Sequence, residues 1–133
     1  MSSADHFNAV VARIKGAGAQ ALNVHDTTPS SPVYPYVVVY FDGGVAGSDR
    51  EADERIQKRY SWSTTTVGTS PAQCRAALDR VHDRQENWVP VVSGRTCTKV
   101  EHEVARRILP DDELPDRILY YAVDEWSTVS DPA

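Results

Sequence analysis

The chain has little of what marks a dedicated chemistry. Its 133 residues hold two cysteines and one methionine. Two thiols make neither a disulfide framework nor a cysteine-rich metal cluster. Cys74 and Cys97 fall on predicted core elements, so reduced, buried thiols of a cytosolic protein are expected. Excess positive charge is missing too: 14 basic residues face 19 acidic ones, for a formal charge of −5 and a pI near 5.3. That balance argues against a protein that wraps nucleic acid or sits on an anionic membrane. The longest apolar run, Val37 to Phe41, is far short of the roughly 20 residues a membrane span needs. Met1 to His6 show neither a basic nor an apolar leader segment, so no signal peptide is expected and cytoplasmic synthesis is.

Catalytic signatures are absent as well. Ser93-Gly94 lacks the flanks of a Gly-x-Ser-x-Gly elbow, and no glycine-rich phosphate loop with Lys and Ser/Thr exists. Gly16-Ala17-Gly18 follows a helix where a dinucleotide loop must follow a strand, so it reads as a helix terminator. His6, His25, His82 and His102 are scattered over a helix start, a weak strand, a helix and a loop. Glu101-His102-Glu103 is the one cluster resembling metal ligands. On a strand its two glutamates share one face and His102 takes the other, which is poor chelation geometry. Asp111-Asp112-Glu113 lacks the ligand spacing of a calcium loop and reads as an exposed turn. No catalytic residue, metal or cofactor is expected.

What is present is ordinary globular material: 41% hydrophobic and 25% charged residues, enough for one domain over residues 1–133. The chain is organised around Tyr60 to Val100. Tyr60 to Val67 alternates β-branched and aromatic residues as a strand. Gly68-Thr69-Ser70-Pro71 ends it and starts a helix, with Pro71 at the first helical position and Ser70 or Thr69 capping. Cys74, Ala77, Leu78 and Val81, with Trp88 two turns on, mark one face of a helix read over residues 71–87. Arg95 to Val100 alternates again. Upstream, Phe7, Val10, Val11 and Ile14 predict an amphipathic helix over residues 5–15, capped by Ser3 or Asp5 and ended by Gly16 or Gly18. Leu22 to His25 is a candidate short strand, the proline-bearing stretch 27–35 a loop, and Tyr36 to Phe41 a strand apolar on both faces.

Residues 45–58 carry Asp49, Arg50, Glu51, Asp53, Glu54, Arg55 and Lys58 with Ile56 as the one sizeable apolar residue. They read as a flexible charged loop, either solvated or ordered against another subunit. Glu101 to Pro110 reads as a loop or wandering edge. Arg117 to Trp126 is the last strand, with Leu119, Tyr121 and Val123 on one face and Tyr120, Ala122 and Trp126 on the other. Residues 127–133 form a polar tail. The expected fold is α+β: an antiparallel sheet of four to five strands with two helices packed on one face. Three Trp and six Tyr, concentrated on strands, leave an aromatic surplus on the other face that suits a protein contact.

The order of these features resembles the tail terminator (minor tail) proteins of long-tailed phages of actinobacteria. It comprises the N-terminal helix, Tyr36 to Tyr40 followed by Asp42-Gly43-Gly44, and a charged loop with Arg50. Val67-Gly68-Thr69 before the second helix, Val92-Ser93-Gly94-Arg95 and Leu119 to Val123 complete it. The likeness covers roughly residues 5–126. It implies a non-enzymatic virion protein that forms a homohexameric ring on the last ring of tail tube protein. Such a ring ends tube growth, offers a surface to the head–tail connector protein, and lets DNA pass through its lumen without specific binding. It is assembled in the host cytoplasm and sits at the head-proximal end of the tail. On this reading Arg50, Asp53, Glu54 and Arg55 are arm contacts, and Arg95 is an inter-subunit ion-pair partner. Two other readings stand beside it. One is another head–tail joining protein, such as a head-closure or tail-completion subunit. The other is a small enzyme or ligand-binding domain using the free sheet face as a pocket.

Overall fold

A computed structural model describes residues 3–42, 45–46, 57–112 and 117–133. Helix α1 (Ser3–Lys15) buries His6, Val10 and Ile14. It ends at Gly16, whose φ of +65° is the left-handed conformation of a helix terminator. The Arg84 guanidinium closes that end by donating to the carbonyls of Ile14 (2.7 Å), Lys15 and Gln20. Helix α2 (Pro71–Gln85) starts as its sequence dictates. Ser70 Oγ accepts from the Gln73 amide, Pro71 takes the first turn, and Gln73 Oε1 accepts from the Thr69 amide. Its buried stripe is Cys74, Ala77, Val81 and Gln85.

The strands are β1 (Asn23–His25), β2 (Tyr36–Phe41), β3 (Val45–Ala46), β4 (Lys58–Gly68), β5 (Arg95–Cys97), β6 (Glu101–Ala105), β7 (Leu109–Asp111) and β8 (Leu119–Pro132). They form one sheet in the order β1-β2-β4-β8-β5, with β3 beside β4 and with β6 and β7 beside β8. The α+β class is as expected, and β2 and β4 are the expected antiparallel pair. Three details differ. Eight strands are described where four to five were expected, because residues 95–111 run antiparallel to β8 as three short pieces. Between β5 and β6 the ladder is bridged by Thr98, whose amide donates to the Val129 carbonyl and whose hydroxyl accepts from the Val129 amide. The sheet is also mixed, since β1 pairs with β2 in parallel.

The third difference concerns residues 127–133. They are not a tail: β8 continues to Pro132, and Ser127, Thr128 and Ser130 are buried. Their polarity is absorbed by cross-strand bonds. The Thr128 hydroxyl donates to the Thr98 carbonyl, and Ser130 Oγ accepts from Arg95 Nε. The charged loop over 45–58 lies mostly outside the described residues. What is described there is the pairing of Val45 and Ala46 with Arg59 and Lys58.

Both helices pack on one face of the sheet. The main core joins Val10 and Ile14 of α1 and Ala77 and Val81 of α2 to Val37, Val39, Tyr60, Trp62 and Trp126. Trp62 and Trp126 sit opposite each other in register. Each finds a polar partner for its indole N–H: Gln85 Oε1 at 3.1 Å for Trp62, and Thr64 Oγ1 at 3.0 Å for Trp126. The opposite face carries a second cluster of Tyr36, Val38, Val67 and Leu119, flanked by Tyr34 and Tyr121.

Gly68 sits where β4 passes under α2. A Cβ there would lie 2.8 Å from the backbone nitrogen of Cys74 and 3.0 Å from its Cα. Backbone cannot swing aside as a side chain can. Gly68→Ala should therefore lower the unfolding free energy by about 1–3 kcal/mol, measured by urea titration.

Candidate functional site

Two regions concentrate chemistry: the open face of the sheet, and a buried histidine–carboxylate cluster beneath α2. The open face is built by the odd–even alternation of β4 and β8 against β2. Its register pairs Val67 with Tyr121, Thr65 with Val123, Ser63 with Glu125 and Ser61 with Ser127. One end is apolar and forms a shallow groove of about 390 Å³ between Tyr36, Val38, Val67, Leu119 and Tyr121, rimmed by Asp111 and Asp112. The other end is polar, a groove of about 410 Å³ with Arg59, Glu103, Glu125, Ser61 and Ser63. There Arg59 pairs with Glu103 at 2.9 Å. Tyr40 lines both grooves and is half exposed. The aromatics on this face are tyrosines, Tyr34, Tyr36, Tyr40 and Tyr121, whereas all three Trp pack on the helix side.

Among the expected site residues, Arg50, Asp53, Glu54 and Arg55 lie outside the described residues. An ion pair between subunits is a contact a single chain does not contain. Within the chain, Arg95 is 8% exposed. Its Nε donates to Ser130 Oγ at 2.9 Å and its Nη2 to the Ser130 carbonyl at 2.6 Å. Ser130 Oγ also lies 2.9 Å from Nε2 of His6, which stacks on Tyr60 with ring centroids 4.0 Å apart. Arg95 thus ties β5 to β8 beside the start of α1.

The second region assembles from three distant segments. Asp124 on β8 is fully buried, and its Oδ1 lies 2.8 Å from Nε2 of His102 on β6 and 3.0 Å from Nε2 of His82 on α2. The His102 ring lies flat on Trp126, with centroids 4.0 Å apart and planes 12° apart, and meets the His82 ring edge-on. Glu86 Oε1 stands 3.8 Å from His102 Nδ1. His102 faces away from its glutamate neighbours, as strand alternation required, but toward partners from elsewhere. Adjacent spacing could not show this cluster. The available signal was Asp124 itself, a carboxylate on the same strand face as Ala122 and Trp126, which must find a counter-charge when buried.

Comparison with known proteins gives a likeness of fold. No protein-family model and no curated protein matches the chain. A solved chain from the virion of a native gene transfer agent (GTA) particle superposes with a TM-score of 0.64. The match covers 92% of this chain and 92% of that one at 15% sequence identity. At that identity the fold is what the two chains share.

The remaining chemistry of the described residues is quiet. Burial pushes the Cys74 thiol up to about 11 and raises that of Cys97, so neither is a thiolate nucleophile at neutral pH. No helix among the described residues is long and apolar enough to cross a membrane.

Two outcomes follow from this geometry. The hydrogen bond to Asp124 raises the His82 pKa above the ordinary histidine value, against the opposing effect of burial. A raised folded-state pKa stabilises the fold fully below about 6.5, and that contribution is lost as pH rises through the folded value. An NMR titration should place the His82 midpoint above 6.5, and Asp124→Asn should bring it down. Separately, Arg95→Glu would set a carboxylate against the Ser130 carbonyl in a buried position. It should destabilise the monomer by roughly 3–5 kcal/mol, read by thermal or urea unfolding.

Proposed function

We propose that this chain is a non-enzymatic structural subunit of a phage-like virion, and that it acts as a tail terminator. In this reading it closes into a homohexameric ring on the last ring of tail tube protein, ends tube growth, and presents a joining surface to the head–tail connector. The observation that carries the reading is the fold likeness to a virion chain of a gene transfer agent particle over 92% of both chains. The order of sequence features shared with tail terminators supports the finer role.

The surface chemistry is of the kind such a ring needs. A closed head-to-tail ring requires two different complementary patches on each subunit. The open sheet face supplies one, apolar around Tyr36, Val38 and Tyr121 and charged around Arg59 and Glu125. A net charge of −5 keeps DNA from adhering as it passes the lumen. The two grooves are shallow and open, which favours a macromolecular contact over a small-molecule pocket.

Light scattering behind a sizing column tests the ring. Six copies of a 14.7 kDa chain give about 88 kDa. Particles of that mass, ring-shaped in micrographs, and capping of purified tail tubes are the expected results; a chain that stays monomeric and leaves tubes growing overturns the reading. Tyr40→Glu should weaken assembly at least about tenfold while leaving the monomer's Tm unchanged, because Tyr40 is half exposed on the contact face.

A further inference from the structure

We propose that His82, His102 and Asp124 form a binding site for a zinc-like divalent cation that clips α2 to the sheet. Two imidazole nitrogens and one carboxylate oxygen converge there, and the three ligand atoms lie within 4.8 Å of one another. With bonds of about 2.0–2.1 Å, an ideal tetrahedral ion holds its ligand atoms about 3.3 Å apart. The Oδ1–Nε2 separations of 2.8 and 3.0 Å need to open by a few tenths of an ångström, while the widest separation, 4.8 Å, must close by about 1.5 Å to reach that spacing. His82 has room to move, since its side chain is 27% exposed.

The argument rests on three further observations. First, the other carboxylate oxygen, Asp124 Oδ2, is buried with no hydrogen-bond partner among the described residues. A fully buried carboxylate with one such oxygen has coordinating capacity to spare: a cation on Oδ1 offsets its charge, and a turned or bidentate carboxylate brings Oδ2 onto the ion as well. Second, the His102 ring is held in plane by its stack on Trp126, so its Nε2 is preset toward the site. Third, Glu86 Oε1 stands on the far side of that ring, 3.8 Å from Nδ1. A carboxylate behind a ligating histidine is the usual outer partner of such a site.

The protons balance simply. Each Nε2 faces the Asp124 carboxylate and so carries a proton in the ion-free chain. A neutral ring moves that proton to Nδ1 through solvent, and a protonated ring releases one proton to solvent, which frees each Nε2 lone pair for the ion. Three protein ligands leave a fourth position to water. Nitrogen-rich donors of this kind take zinc, cobalt or nickel in preference to calcium or magnesium. The ligands come from α2, β6 and β8, so the ion would cross-link a helix to two strands. This inference is independent of the virion reading, because the site lies under α2 and not on the open face.

The test uses the untagged chain, stripped with chelator and titrated with Zn²⁺ by calorimetry and with Co²⁺ by visible absorption. One ion per chain, with the intense ligand-field bands of a four-coordinate cobalt site, is expected. His82→Gln should keep the far-UV circular dichroism of the parent and weaken Zn²⁺ binding by more than about a hundredfold. Glu86→Gln should weaken it by less, within roughly tenfold to a hundredfold. His25→Gln, at a histidine outside the cluster, should leave it unchanged. Absence of Zn²⁺ uptake by the parent chain overturns the proposal and leaves an imidazole–carboxylate pair only. Uptake that His82→Gln leaves intact, or a pale octahedral cobalt spectrum, overturns it equally.

Discussion

The structure depends on the pairing of β4 with β8. Eleven consecutive residues of β4, Lys58 to Gly68, meet eleven of β8, Ser130 back to Tyr120, without a register break. Because side chains alternate faces, this one register decides what both faces of the sheet contain. It sets Trp62 against Trp126 under the helices and Val67 against Tyr121 on the open side. A slip by one residue would bring Asp124 to the open face and Tyr121 into the core. Everything else is attached to this pair: β2 on one side and the three pieces of residues 95–111 on the other.

Local rules made much of the fold legible. The start of α2 needs only Ser70, Pro71 and Gln73, residues within four positions of one another, and the end of α1 needs only a glycine that accepts positive φ. β2 and β4 announce themselves by runs of Val, Thr and aromatic residues. What escaped is what depends on partners far along the chain. Thr128 and Ser130 look like surface residues until Thr98 and Arg95 are placed beside them, thirty and thirty-five positions away; Ser127 does so until Glu103 and Arg59 are. β5 falls within the alternation read over Arg95 to Val100; β6 and β7 were obscured by the breaks that keep them short, while their one stiff partner, β8, is long.

The same limit governs the sites. The tyrosines of the open face could be anticipated from strand periodicity, whereas the three Trp went to the helix side. The cluster of His82, His102 and Asp124 joins residues 42 and 22 positions apart, through a helix, an edge strand and a central strand. Strand alternation correctly separated His102 from Glu101 and Glu103, yet it gave no view of what lay across from it. Arg95 shows the complementary case. The resemblance offers it as an inter-subunit ion-pair partner, and what local sequence could not show is that within the chain its multi-donor fork bonds the Ser130 hydroxyl and carbonyl.

The order of elements carries a consequence for synthesis. β8 follows in the chain every strand it joins, so during translation β4 and the pieces over residues 95–111 emerge with no partner between them. The helices and the β1-β2-β4 part can settle early, but one long side of β4 stays open until β8 leaves the ribosome. An unpaired strand edge of that length is a template for pairing with another copy. Five of the eleven residues of β4 are serine or threonine, so that waiting edge is not a continuous apolar strand. Of the described strands, the longest and one of the interior ones is thus the last to be laid.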